Sequence, residues 1–172
     1  MPIHDADDKA WWIEWGVEKE KDFLKLCEKR QILPGIAKSK GTVYMPEFTY
    51  DGRYLDLKTV GTPFFVAQRR YNVDSNFAVT LNRTDVMDCQ LKYPECQIVF
   101  WVNWEAANNF GVDIQKQSGI WFLSYERMCQ LIAKAPEHRY SRRDENNKDG
   151  NATSSFVLDL REMEQLEGGK DE

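Results

Sequence analysis

The pair Asp51-Gly52 narrows what this chain can become more than any other stretch, because it stands between two runs rich in β-branched and aromatic residues, 42–50 and 53–60. Asp-Gly in that setting predicts a hairpin with a two-residue turn. With Tyr50 and Arg53 bracketing the turn, Thr49 faces Tyr54, Phe48 faces Leu55, Glu47 faces Asp56 and Met45 faces Lys58. Side chains alternate between faces along a strand. One face of the predicted hairpin is therefore apolar, with Tyr44, Pro46, Phe48, Leu55 and Leu57, and the other carries Glu47, Asp56 and Lys58.

Two acids directly opposite each other, with Cβ atoms about 4.5–5.5 Å apart, destabilise a strand pair unless something offsets the repulsion. A divalent cation bridging the carboxylates does so, since hard cations take oxygen ligands. A solvated polar face, with Lys58 softening the repulsion, is the structural alternative.

Upstream, Asp7 or Asp8 can cap a helix predicted over residues 10–30. Ile13, Val17, Glu20, Leu24 and Cys27 fall on one stripe of it, with Trp12, Gly16 and Phe23 alongside. Glu20 is the acid in an otherwise apolar stripe, which is costly unless it is paired, bound to a metal or able to reach water at the boundary. Leu33-Pro34-Gly35 ends the helix, and Lys38 and Lys40 follow in a loop beside the hairpin, where they can contact phosphate or simply stay solvated.

Beyond the hairpin, Thr62-Pro63 can open a short helix through Gln68, followed by the basic Arg69-Arg70, which suits phosphate contacts or a solvated face. Strands are predicted at 76–81, 97–102, 119–124 and 154–160, and helices at 84–93, 125–135 and 161–166. The run 97–102 is almost wholly apolar and reads as the middle strand of the sheet. Residues 103–112 read as a loop. The polar stretch 140–151, with Arg142 and Arg143 as further candidate backbone contacts, reads as an exposed loop.

At 172 residues and 42% hydrophobic, the chain is long enough for one domain with its own core, and a single domain over residues 1–172 is expected. No apolar run reaches membrane-spanning length, and His4, Asp5, Asp7 and Asp8 give the N-terminus neither the basic start nor the apolar centre of a signal peptide. The expectation is a cytoplasmic protein with no membrane partner. The four cysteines show no zinc-like spacing and read as core or incidental thiols. A net charge of −5 gives no global attraction to a polyanion, although the acidic termini account for much of it.

Pro46-Glu47, eight further residues and then Asp56-Leu57-Lys58 resembles the active-site signature of the PD-(D/E)XK nuclease superfamily. In that superfamily an acid after a proline lies on one strand and an acid-x-lysine triplet on the next. Glu47 departs from it by standing where Asp is commoner. The resemblance covers the motif and the preceding helix, roughly the first 70 residues, and beyond them only the coarse element order. It implies a restriction-endonuclease-like α/β fold, three layers α/β/α around a central mixed sheet. It also implies that Glu20, Glu47, Asp56 and the Leu57 carbonyl hold Mg²⁺ or Mn²⁺, with Lys58 beside the scissile phosphate and Gln68 as a further catalytic residue. The activity implied is metal-dependent DNA endonuclease. Cutting both strands of a duplex needs two such sites, so a homodimer or tetramer is expected, with Trp11, Trp12 and Trp15 available for an interface. A non-catalytic nucleic-acid or protein interaction module of the same fold is the alternative.

Overall fold

The computed structural model describes residues 8–41, 45–109, 111–139 and 154–168. Helix α1 (Lys9–Arg30) starts at Asp8, whose carboxylate accepts from the Trp11 amide at 3.1 Å, and ends at Gln31 in the left-handed conformation. Strands β1 (Ala37–Lys38), β2 (Phe48–Tyr50) and β3 (Arg53–Val60) follow, then α2 (Ala67–Tyr71), β4 (Ala78–Asn82), α3 (Arg83–Leu91) and β5 (Gln97–Trp104). The small hairpin β6 (Ala107–Asn109) and β7 (Val112–Ile114) leads to β8 (Gln117–Leu123), α4 (Tyr125–Ile132), β9 (Glu137–His138) and β10 (Ser155–Asp159). After a 3₁₀ turn, Leu160–Glu162, the last described element is β11 (Glu164–Gly168).

The protein is mixed α/β. Its central sheet runs β1-β2-β3-β5-β8-β11, with β3 and β5 parallel and every other neighbouring pair antiparallel. Strand β5 lies in the interior of this sheet, as its apolar run predicts, and Ile98, Val99, Phe100 and Val102 are all buried. A separate antiparallel sheet, β4-β10-β9, stands apart from it.

The β2–β3 hairpin forms in the predicted register over three pairs, Phe48 with Leu55, Thr49 with Tyr54 and Tyr50 with Arg53, but the ladder ends there, and the expected strand pairs of Glu47 with Asp56 and Met45 with Lys58 do not form. Asp51 and Gly52 have φ of 50° and 73°, the pair of positive values that marks a type I′ turn. Phe48, Leu55 and Leu57 are buried in one cluster with Phe23 and Cys27 of α1, Leu33, Val99 and Ile120. The opposite sheet face packs Ile98, Phe100, Val102, Trp121 and Leu123 against residues of α3, α4, β4 and β10. The sheet is thus covered by α1 on one side and by helices together with the small sheet on the other.

Several expectations are corrected. Residues 103–112 are not a plain loop: β5 continues to Trp104, and β6 and β7 form a hairpin. The segment expected as a helix over 161–166 is only a 3₁₀ turn followed by β11, which pairs with β8 at the sheet edge. The α1 stripe is rotated from its predicted position, with Ile13 42% exposed. The inward line is instead Gly16, Glu20, Phe23 and Cys27, in which Phe23 and Cys27 enter the core while Gly16 and Glu20 line a cleft. Tyr44, Arg142 and Arg143 lie outside the described residues. All four thiols are free, with Cys27, Cys89 and Cys96 buried. No helix among the described residues is long and apolar enough to cross a membrane.

Candidate active site

The site forms where β2 gives out beside β3. Antiparallel pairing of β2 with β3 stops at Phe48 and Leu55, while β3 runs on to Val60 beside β5. The Glu47 carbonyl turns the other way and accepts from the Ser39 amide at 2.8 Å. This leaves the Leu57 amide without a backbone acceptor on the β2 side, and the Glu47 carboxylate supplies one, Oε2 accepting at 2.9 Å. The N–H and C=O of one strand residue point to the same side. The Leu57 carbonyl is therefore turned toward Glu47 as well.

Because Leu55 and Leu57 fill the core beneath α1, strand alternation sends Asp56 and Lys58 to the face covered by α3, and Glu47, in the bend just before β2, meets them from the edge of β3. There Lys58 Nζ lies 2.7 Å from an Asp56 oxygen and 2.7 Å from an oxygen of Asp85, in the first turn of α3. Burial alone lowers the pKa of an ammonium, but the two carboxylates outweigh it and hold Lys58 firmly protonated, above the ordinary lysine value. Glu47 moves the other way for a carboxyl. Burial raises its pKa, and the charge of Asp56 and a side-chain hydrogen bond with it raise it further. The Leu57 amide opposes them, and the net value is about 8. The charge of Asp56 is thus felt at Glu47, and the two carboxylates line the same hollow.

Two hollows meet at this group. One, of about 400 Å³, is lined by Glu20, Glu47, Leu57, Lys58 and Asp85 and extends to Trp15 and Lys19 of α1. The other, of about 540 Å³, holds Glu47, Asp56, Lys58, Asp85 and Asp88. Glu20 reaches the first hollow from the opposite sheet face, and its Oε2 lies 2.9 Å from Lys38 Nζ. Among the described residues no three His, Cys, Asp or Glu side chains come together as a metal-holding group. The donor set present is therefore the Glu47–Asp56 pair with the Leu57 carbonyl, and Glu20 stands nearby in an ion pair.

Gln68 is exposed on α2, where its amide donates to Asn72 at 3.2 Å, and it lines neither hollow. Arg69 and Arg70 are exposed in the same helix, and Lys40 is exposed in the bend after β1. The second partner of Lys58, Asp85, carries no role in the sequence reading, although it sits where a helix start is predicted. An acid in a first helical turn ordinarily needs no explanation beyond the helix dipole.

Comparison with known proteins yields no matching family model, no matching curated protein and no matching solved structure. What the site can do therefore rests on its own chemistry. Two facing carboxylates, one of them protonated well above its usual range, make a pair that a divalent cation would discharge. An ammonium held two residues along the same strand face would sit beside any anion brought to that cation.

Proposed function

We propose that this chain is a metal-dependent endonuclease that hydrolyses DNA phosphodiester bonds, with a restriction-endonuclease-like fold of the PD-(D/E)XK kind. The observation that carries the reading is the Glu47–Asp56 carboxylate pair at a cleft, with Lys58 on the same strand face. The parallel β3–β5 pairing beside the acidic hairpin and the cover of α1 fit the same reading.

The residues fit Mg²⁺ or Mn²⁺: Glu47, Asp56 and the Leu57 carbonyl would hold the ion, with Glu20 free to join once it leaves Lys38. Such an ion supplies Lewis-acid stabilisation at phosphorus and acidifies a water. Glu47 would bind such an ion as its carboxylate, and its contact with the Leu57 amide keeps that group aimed along the edge of β3. Lys58 places a full positive charge where charge develops on the phosphate, and Asp85 keeps its stem from swinging away. The positive charge that Lys58 carries in the free protein suits it to electrostatic stabilisation. Lys38, Lys40, Arg69 and Arg70 supply exposed positive charge for the DNA backbone, and a homodimer or tetramer would present two sites to a duplex.

One observation favours the second reading, a non-catalytic interaction module. Lys58 is engaged by two carboxylates and Glu20 by Lys38, an arrangement that is electrically satisfied without a substrate. Incubation of the purified chain with supercoiled plasmid and Mg²⁺ separates the two. The nuclease reading expects nicked or linear product, abolished by EDTA and reduced by about 100-fold or more in Lys58→Ala. Intact plasmid under these conditions, with a folded protein, leaves the module reading in place.

A further inference from the structure

The larger question left by the site is which form of nucleic acid it takes, and the cleft beside it bears on this. The hollow that contains Glu47 and Lys58 runs on to Trp15 and Lys19 of α1. From there a recess of about 170 Å³ opens, lined by Trp15, Lys19, Thr59, Trp101 and Asn103 among others. Trp15, Lys19 and Thr59 line both, so recess and cleft are continuous.

Its walls are built rather than incidental. Trp101 projects from the interior strand β5, and its ring is braced at 5.8 Å by Phe23, which is fully buried in the core. Trp15 stands on α1, one turn before Lys19. The Lys19 ammonium lies 5.7 Å from the centroids of both indole rings, between them. Half-buried indoles, a cation between them and the polar side chains of Thr59 and Asn103 suit a planar heteroaromatic ring attached to a phosphate. Bases stack on such rings whatever their sequence, and the lysine neutralises the adjoining phosphate. A recess of this size accepts one ring system and not a stacked pair.

We propose that Trp15, Lys19 and Trp101 form a subsite for an unpaired nucleotide of the substrate strand, next to the phosphate held at Glu47 and Lys58. The proposal rests on the nuclease reading for that neighbouring phosphate, and it names the substrate class: DNA with a single-stranded or extrahelical nucleotide at the cut. In the free protein Lys19 rests against the indole faces. An incoming base takes that place, and the ammonium moves to the phosphate.

The test is tryptophan fluorescence of the full chain in EDTA, titrated with a short oligothymidine and, separately, with a blunt duplex of the same length. The subsite predicts quenching and tighter binding by the single strand. Trp15→Ala should weaken that binding about tenfold, while Trp15→Phe, which keeps a stacking face, retains most of it. Lys19→Ala should flatten the salt dependence by roughly one phosphate contact. Absence of quenching, equal binding of duplex and single strand, or unchanged binding in Trp15→Ala overturns the proposal. Since EDTA removes hydrolysis from the measurement, a plasmid that stays intact in Mg²⁺ sinks the nuclease reading without touching this result, and the converse also holds.

Discussion

Replacing Glu47 with glutamine should stabilise the metal-free protein, and the size of the gain should depend on pH. A carboxyl raised from 4.5 to about 8 in the folded state binds its proton more tightly there than in the unfolded chain. Below about pH 4.5 both states are protonated, and the group has no effect on stability. Between about 4.5 and 8 only the unfolded chain releases the proton, so stability falls as pH rises; above about 8 the loss levels off. At 1.36 kcal/mol per unit of pKa, the rise from 4.5 to about 8 sets a ceiling of about 5 kcal/mol on the loss. Glu47 is partly open to solvent, and screening reduces this to about 1–2 kcal/mol. Glutamine removes the charge but keeps an oxygen for the Leu57 amide. Urea denaturation in EDTA, followed by tryptophan fluorescence, should therefore show Glu47→Gln about 1–2 kcal/mol more stable than the parent at pH 8 and nearly equal to it at pH 5. Added Mg²⁺ should reverse the order by stabilising the parent more, about 2.7 kcal/mol at one hundred times the dissociation constant. A variant no more stable than the parent at pH 8, or a difference independent of pH, refutes the account of two acids in mutual repulsion.

Three further outcomes are expected. Gly52→Val should cost about 1–2 kcal/mol in urea denaturation, because Gly52 has φ of 73° and a β-branched residue is strained there. Gly119→Ala should cost about 1–3 kcal/mol, read as a lowered melting temperature, since a Cβ at that position would stand 2.5 Å from the Glu167 carbonyl oxygen of β11. Asp85→Ala should cost about 1–2 kcal/mol by leaving the part-buried Lys58 with one carboxylate, and it should lower the plasmid-nicking rate while leaving the Mn²⁺ affinity close to that of the parent.

The parts of the fold legible in the sequence are those decided locally. The Asp51-Gly52 turn sets the register of β2 on β3, and alternation along β3 puts Asp56 and Lys58 on one face, which Glu47 joins from the bend before β2, held by the Leu57 amide. The caps at Asp8 and Ser124 likewise depend on neighbours three residues away. The elements misread are those decided by distant partners. Residues 161–168 are rich in Glu, Gln, Leu and Met, all good helix formers, yet the open edge of β8 draws 164–168 into a strand. Residues 107–114 lack strand-like composition in their first half and become a hairpin beyond the long strand β5. The α1 stripe was legible to within a small rotation. Periodicity cannot say that one end of a helix faces a polar cleft, so it places Ile13 inside and Gly16 only at the margin of the stripe, whereas Ile13 is exposed and Gly16 lines the cleft. Asp85 acquires meaning only when α3 packs over β3, and the Trp15–Lys19–Trp101 group joins residues of α1 and β5 that lie far apart in the chain.

The central claim, that Glu47 and Asp56 together hold a divalent cation, is tested most directly by titrating the purified chain with Mn²⁺ and counting bound ion from the loss of the free Mn²⁺ electron-paramagnetic-resonance signal. The account predicts stoichiometric binding by the parent chain and its loss in the folded Glu47→Gln/Asp56→Asn double variant. No binding by the parent, or equal binding by the double variant, would contradict it.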